Sequence, residues 1–529
     1  MSIVTFPERV QTYLNKPNSK RLPFSCTLGV LSGTSKVSEI LEFATHSLKA
    51  GAGVKIVIDE TYRLPKPNDN LNLMVILDPD HSDWNFLEQD TGGNVWGENY
   101  IDSALKITVK DNITSIAASF RAIENAVVNG YKDIAIDLSE LRPRDSVNSD
   151  GIIASGPSQF IDIYHALEYY LSHGSIHSLL RLLGVLNDVI LRGGQKKGII
   201  TSAIHSASPY LEDYLDVPLV SLRGSHKKGV ILHKEWLGDD IMQKIFDKIN
   251  TESMFIQKEN EDSELYSNVC MGISLRDKGT CLIGRVNLGQ VTEFSQIVQA
   301  YKMATYKTME IMLSWRKTSS KASTWASIED DLQVAIDPMG LANLLARFEY
   351  SYEYFVNEMS SPNTTDSLIL ALREAYKEST KVADLFCEEN GLPKMERIHC
   401  VEPAQTHSYR TVDVDGYTTC RGIWPPFSRI VNRMSDREEI STFDHGPVET
   451  KISPELHFEL CNQWQKMMDT YGRPHTISYD TWENFNAKVY KKWYNSYLRT
   501  LYYNFTDTYN DDYARKRVKQ VSLCSVCEA

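Results

Sequence analysis

The sequence predicts an α/β protein built on a largely parallel sheet with helices covering both faces. Three observations carry this. Short apolar runs alternate with segments of helical periodicity. The 529 residues are 42% hydrophobic and 24% charged, which is globular composition with length for a large core. No internal repeat or long low-complexity linker interrupts the alternation.

The elements follow in order. Between Ser35 and Ala50 the apolar residues fall at 37, 40, 41, 44 and 48, a helix spacing closed by Gly51. "VKIVI" (54–58) and "DIAIDL" (133–138) are buried strands. Between them, about 60 to 130, lies an irregular region rich in Asn, Asp and Gly, with strand candidates "LNLMVIL" and "ALKITV". It reads as an insertion. "SGPSQFIDIYHALEYYL" starts on Gly-Pro and continues as a helix. "SLLRLLGVLNDVIL" is another, stopped by Gly193 and Gly194. "GIITSAI" and "GVILH" are strands. From Thr292 to about Trp315, positions 294, 297, 298, 301, 304 and 311 mark a long helix, and helices dominate 328–390. "YDTWENFNAKVYKKWYNSYLRTLYYNF" reads as an aromatic-faced helix ending near Tyr502. The residues alone leave open sheet and barrel as alternatives.

The formal net charge is -13, so the chain is acidic overall. That excludes the electrostatic footprint of a nucleic-acid binder, though not a small basic nucleotide pocket. No run approaches the roughly 18 apolar residues of a spanning helix, and the start has no signal-peptide pattern. A soluble cytoplasmic protein is expected. Nine irregularly placed cysteines do not suit a secreted disulfide framework. "SLCSVCEA" sets Cys524 and Cys527 in a C-x-x-C within a polar tail. It is a redox pair or half of a zinc site, and no second C-x-x-C supplies the other half.

"SNVCMGI" (267–273), followed by "GTCLIGRVNLGQV", resembles the large catalytic subunit of ribonucleotide reductases. Other segments agree in order: "FSCTLGVLSGTSKVSEILEF" (24–43), "DLSELRPRDSVNSDGIIASGPSQFIDIY", "RGGQKKG" (192–198), "VEPAQTHSY", "GIWPP", "RTLYYNFTDT" and "CSVC". Each motif is weak singly; the ordered set covers most of the chain. The resemblance implies a ten-stranded α/β barrel of the ribonucleotide reductase and glycyl-radical type, with a central finger loop carrying the radical cysteine, Cys270. On this reading 1–53 opens the barrel, 54–133 is an effector or interface insertion, 134–503 is the catalytic barrel and 504–529 is a redox tail.

The resemblance also implies roles. Replacing a ribose 2′-OH needs a radical at C3′, and a Cys270 thiyl can take that hydrogen reversibly. Cys26 and Cys281 would supply two electrons and protons and form a disulfide. Cys524 and Cys527 would reduce it and pass electrons from a thioredoxin- or glutaredoxin-like partner; the 20 residues of 504–523 span at most about 70 Å. Asn268 would hold the ribose hydroxyls, with Ser25 near substrate. Pro403, Ala404, Gln405, Thr406, His407 and Ser408 form the phosphate turn for a Mg-nucleotide. Arg192, Gly193, Gly194, Gln195, Lys196 and Lys197 match the loop linking deoxynucleotide effector to substrate. Tyr502 and Tyr503 match the tyrosine pair that relays a radical from a ferritin-like, metal-containing small subunit. No metal site is expected in this chain.

One departure stands out. The family has Glu two residues after the radical cysteine, where this chain has Gly272. That glutamate is a general base, a role worth about 10² to 10⁴ in rate. Glu402, just before the phosphate turn, is the candidate replacement. Other features divide the classes. Cys26 comes too early for an N-terminal ATP cone. The tail has no glycine after Gly472, unlike glycyl-radical enzymes. The insertion sits where monomeric adenosylcobalamin-dependent (class II) reductases imitate a dimer interface, so that cofactor is the alternative radical source, and a homodimer is one of two allowed states. The compact build resembles a minimal phage-type reductase, which would work in the host cytoplasm. From other classes, a nucleotide- or zinc-binding α/β module without activity, or a cysteine acyl-transfer enzyme with His407 or another His as base, fits the residues less fully.

Overall fold

The computed structural model describes residues 3–15, 22–33, 35–85, 95–96, 104–147, 154, 156–192, 199–218, 227–233, 238–252, 254–260, 262, 264–318, 324–434, 440–450 and 452–503. They divide into two compact units, one of Met1–Leu28 with Val230–Ala529 and one of Gly29–Gly229.

In the first unit, strands Ile283–Asn287, Gln333–Met339, Arg397–Val401 and Pro474–Ile477 run parallel in that order, and Val4–Thr5 adds to the Ile283–Asn287 edge antiparallel. Nearly every residue of these strands is buried, as a parallel sheet requires. Helices Ser295–Thr318 and Ser367–Glu389 connect them and pack on each other. The Asp366 carboxylate caps the second by accepting from the Ile369 N–H. Two contacts fix which sheet face these helices cover. A Cβ on Gly284 would stand 2.1 Å from Thr308 Oγ1, and His399 Nε2 bonds Ser379 Oγ at 2.6 Å. Alternation then turns Arg285, Asp337 and Cys400 to the opposite face.

A second group of strands in this unit pairs Phe255–Lys258 antiparallel with Thr500–Tyr503, which runs parallel to Asp480–Thr481. Tyr266–Ser267 and Ser274–Leu275 form a small hairpin. Ile430–Met434 and Ile440–Asp444 form an exposed ribbon.

The second unit holds a parallel sheet in the order Val95–Trp96, Asn72–Ile76, Asp133–Asp137, Leu105–Thr108. Gly53–Ile58 and Ile200–His205 pair in parallel there. Its helices are Val37–Lys49, Ile113–Val128, Ser158–His173, Ile176–Arg192 and Leu211–Asp216.

The mixed α/β class is as expected. Among the described residues the pairings draw open sheets rather than one closed ten-stranded ring. Two local readings are corrected, and the helix-dominated 328–390 segment gains a strand. The 60–130 region is regular in large part: both strand candidates form, and Ile113–Val128 is a helix that the Asn112 side chain caps by accepting from Ser115 N–H. The 328–390 segment starts with the buried strand Gln333–Met339 before its three helices. The aromatic segment is a helix only over Ala487–Tyr494; Thr500–Tyr503 is a strand, anchored where the Trp493 indole N–H donates to Thr500 O at 3.1 Å. Among the described residues no helix is long and apolar enough to cross a membrane.

Candidate active site

Cys270 lies in the tight loop Asn268–Ile273 that joins the strands of the Tyr266–Leu275 hairpin. Asn268 builds the loop. Its backbone N–H donates to Ile273 O at 2.6 Å, and its Oδ1 accepts from the N–H groups of Gly272 and Ile273 at 3.2 and 3.3 Å. Met271 takes a left-handed φ of 72° to close it. Outside groups pin the hairpin. The Gln257 side-chain oxygen accepts from Ser267, His475 Nδ1 accepts from Ser274 N–H at 3.1 Å, and Thr476 N–H donates to Gly272 O at 3.2 Å. Thr500 Oγ1 donates to Met271 O and Ile477 O at 3.2 and 2.8 Å. The strand carrying Tyr502 and Tyr503 is thereby tied to the Cys270 loop. Cys270 is buried, 6% exposed.

Cys26 and Cys281 are adjacent, buried, free thiols. Cys26 N–H donates to Cys281 Sγ at 2.9 Å, and Cys281 N–H donates to Cys26 O at 3.0 Å. An antiparallel bridge between Thr27 and Thr280 holds the two segments. Burial pushes the Cys281 thiol up, but hydrogen bonds from the Cys26 thiol and the Ser25 and Cys26 N–H groups, with the charge of Arg9, outweigh it and hold the thiol below its ordinary value.

Glu402 follows the Arg397–Val401 strand and is fully buried. Asn268 Nδ2 donates to its Oε1 at 3.2 Å. A Cβ built on Gly272 would sit 2.6 Å from that oxygen and 2.7 Å from Val401 O. The Glu402 carboxyl therefore occupies the space that a side chain at 272 would enter. Burial, then the nearby Cys281 and Asp337, raise it well above the carboxylate range, against Arg285 and Asn268.

The turn from Pro403 to Ser408 begins with Ala404 at a left-handed φ of 49°. Ser408 is buried and its hydroxyl donates to Gln405 O; Gln405 Nε2 donates to Tyr409 Oη at 3.3 Å; Thr406 is half-buried. His407 Nε2 bonds Thr5 Oγ1 at 2.9 Å, and burial lowers the imidazole to about 3, so it stays neutral. Ser25 is buried beside Cys26. Tyr502 is half-buried; the Tyr503 backbone pairs with Thr481. Arg192 ends its helix, and Gly193, Gly194, Gln195, Lys196, Lys197, Cys524 and Cys527 lie outside the described residues.

The structure thus sets Glu402 against Asn268 and Gly272 of the Cys270 loop, and it pairs Cys26 with Cys281, whose charge acts on Glu402. Sequence reasoning missed Arg285 and Asp337, a fully buried ion pair 2.9 Å apart at paired strand positions. The available signal was a charged residue inside each of two apolar runs, "LIGRV" and "VAIDP". Among the described residues no cluster of three or more His, Cys, Asp or Glu is arranged for a metal ion.

No family model and no curated protein matches the chain. Solved structures do. A B-12-dependent (class II) ribonucleotide reductase superposes with a TM-score of 0.69 at 14% identity, over 95% of this chain and 83% of that one. The class Id ribonucleotide reductase alpha subunit of Actinobacillus ureae gives 0.48 at 14% identity, over 94% and 98%. The first likeness establishes the fold: this chain is folded like a ribonucleotide reductase.

Proposed function

We propose that the protein reduces ribonucleotides to 2′-deoxyribonucleotides by thiyl-radical chemistry. The observation that carries this is the Cys26–Cys281 dithiol, with the two residues joined by hydrogen bonds, in one unit with a cysteine-tipped hairpin whose Asn268 reaches a buried carboxyl. The Cys270 sulfur, as a thiyl, takes the hydrogen atom from ribose C3′. The 2′-oxygen leaves as water. Cys26 and Cys281 give two electrons and two protons and become a disulfide, and Cys270 returns its hydrogen to C3′. Asn268 and Glu402 bind the ribose hydroxyls, with Glu402 in the role that the family gives to the residue at 272. The Pro403–Ser408 turn takes the phosphates of a Mg-nucleotide, and Ser25 borders the substrate. Cys524 and Cys527 reduce the disulfide on behalf of a thioredoxin- or glutaredoxin-like protein. Residues 192–197 pass an effector signal.

Tyr502 and Tyr503 receive the radical from a ferritin-like small subunit. The tie from their strand to the cysteine loop through Thr500 supports this route. A second reading takes the radical from adenosylcobalamin, and it is favoured by the B-12 dependence of the enzyme that shares this fold. That cofactor, when bound, supplies a carbon-centred radical. The residue of this chain that would receive it is Cys270, at the hairpin tip.

The test is deoxynucleotide formation by the full chain with nucleoside di- or triphosphate and a dithiol, in one arm with adenosylcobalamin and in the other with a ferritin-like subunit. Tyr502→Phe should abolish subunit-driven turnover and spare cobalamin-driven turnover. Product in neither arm overturns the reading and leaves a nucleotide- or zinc-binding module.

A further inference from the structure

The sheet face turned away from helices Ser295–Thr318 and Ser367–Glu389 carries one carboxyl and one guanidinium, and a second carboxyl, that of Glu402, follows directly on a strand end; all three are sealed from water. Arg285 and Asp337 stand at paired positions on neighbouring parallel strands, and both are 0% exposed. Arg285 Nη1 lies 2.9 Å from Asp337 Oδ2. Asp337 Oδ1 accepts the backbone N–H of Glu402 at 2.9 Å. A chain of contacts therefore runs from the guanidinium through one carboxylate to the backbone of the residue whose own carboxyl fills the space over Gly272.

We propose that Arg285 and Asp337 are positioning residues that hold the Glu402 carboxyl, with its proton, at the place a side chain on residue 272 would occupy. That Glu402 acts on the ribose rests on the function proposed above; the positioning does not.

The charge balance supports this. One cation cannot neutralise two carboxylates in a water-free space, and an uncompensated buried charge is costly. Asp337 has both the guanidinium and an N–H donor, while Glu402 takes its bond from the uncharged amide of Asn268. The proton therefore stays on Glu402. The titratable and charged groups that act on Glu402 are Cys281, Asp337 and Arg285, with Cys400 two residues before it in the strand and His407, which Arg285 also influences, on the turn that follows. Asp337 is itself raised to about 6, burial outweighing Arg285. The ion contact is poorly aligned, so Arg285 Nε, Nη1 and Nη2 make no hydrogen bond among the described residues. Those donors are countercharge in reserve for the moment when Glu402 gives up its proton.

The experiment is an infrared titration of the full chain that follows the C=O stretch of protonated carboxyl groups. The Glu402 band is assigned by its loss in Glu402→Gln. The wild type should show it at neutral pH. Asp337→Asn removes a negative neighbour and should move the midpoint down by about one to three pH units; Arg285→Gln removes the cation and should move it up. Arg285→Lys, which keeps the charge, should stay near wild type. A merely structural role would not give opposite signs. Absence of the band in wild type at neutral pH, or shifts of the same sign in both variants, overturns the proposal. If neither substitution folds, the wild-type spectrum still decides. The readout needs no turnover, so an enzyme inactive with every radical source would sink the functional reading and leave this one standing.

Discussion

The backbone N–H of Cys26 points at the sulfur of Cys281, 2.9 Å away, from a position far earlier in the chain. Both thiols are buried, and the acidity of Cys281 is enhanced by its partner's thiol and by local N–H donors despite that burial. This is an arrangement prepared for oxidation: a thiol of raised acidity beside a second thiol.

Mild oxidation of the protein by a dithiol-selective oxidant should therefore join Cys26 to Cys281 in preference to Cys387, Cys400, Cys420 or Cys461, which are also buried free thiols. Peptide mapping by mass spectrometry checks it. Cys26→Ser should remove the crosslink and deoxynucleotide formation while leaving radical formation at Cys270 intact. A dominant crosslink elsewhere would contradict the geometry.

Gly272→Ala should destabilise the chain by about 1–3 kcal/mol, because the new methyl group meets Glu402 Oε1 and Val401 O. Adding Glu402→Ala should restore part of the loss and not all of it, since the carbonyl remains. Urea denaturation of the single and double variants measures both numbers. Full tolerance of the alanine would show that the carboxyl does not fill that space.

Glu402→Gln keeps the shape and removes the transferable proton. Turnover should fall by about 10² to 10⁴, with the urea midpoint unchanged or raised, because a neutral amide is easier to bury than a carboxylate. Wild-type turnover in this variant would strip Glu402 of its role.

His475 ties the base of the cysteine hairpin to the parallel sheet. Its Nδ1 accepts from Ser274 N–H, so its Nε2 carries the hydrogen that is donated to Val334 O. Burial lowers the imidazole from 6.5 to about 3, helped by Arg397. Between those values the unfolded chain binds the extra proton, so this residue's contribution to stability is full above 6.5 and drains away as pH falls towards 3. His475→Gln should be less stable than wild type near neutrality, and its urea midpoint should lose less on acidification to about pH 4. Equal losses in the two proteins would contradict the assignment.

Much of the fold was legible locally. The helices Val37–Lys49 and Ser295–Thr318 follow from apolar spacing, and the strands Gly53–Ile58 and Ile200–His205 from short apolar runs between turn residues. Periodicity failed where burial was complete. Gln333–Met339 is buried along its whole length and has no solvent face to reveal its period, and Leu501 to Tyr503 has the aromatic character of the helix before it. The cysteine loop, the dithiol and Glu402 were found through ordered motifs rather than spacing. Arg285 and Asp337 were overlooked because Asp337 lies outside every quoted motif and Arg285 has no assigned role within its own; each makes sense only beside the other.

The order of residues by itself determined the class, a core of parallel strands and helices, because apolar periodicity is a local property of the chain. It also determined which residues were chemically capable: the thiols, the amide of Asn268 and the carboxyl of Glu402. Only tertiary structure decided that Cys26 meets Cys281, that Glu402 stands in the space over Gly272, and that a guanidinium and a second carboxyl lie buried together beneath it. Those relations depend on strand register and on loops that close over long separations, and no window of sequence contains both partners.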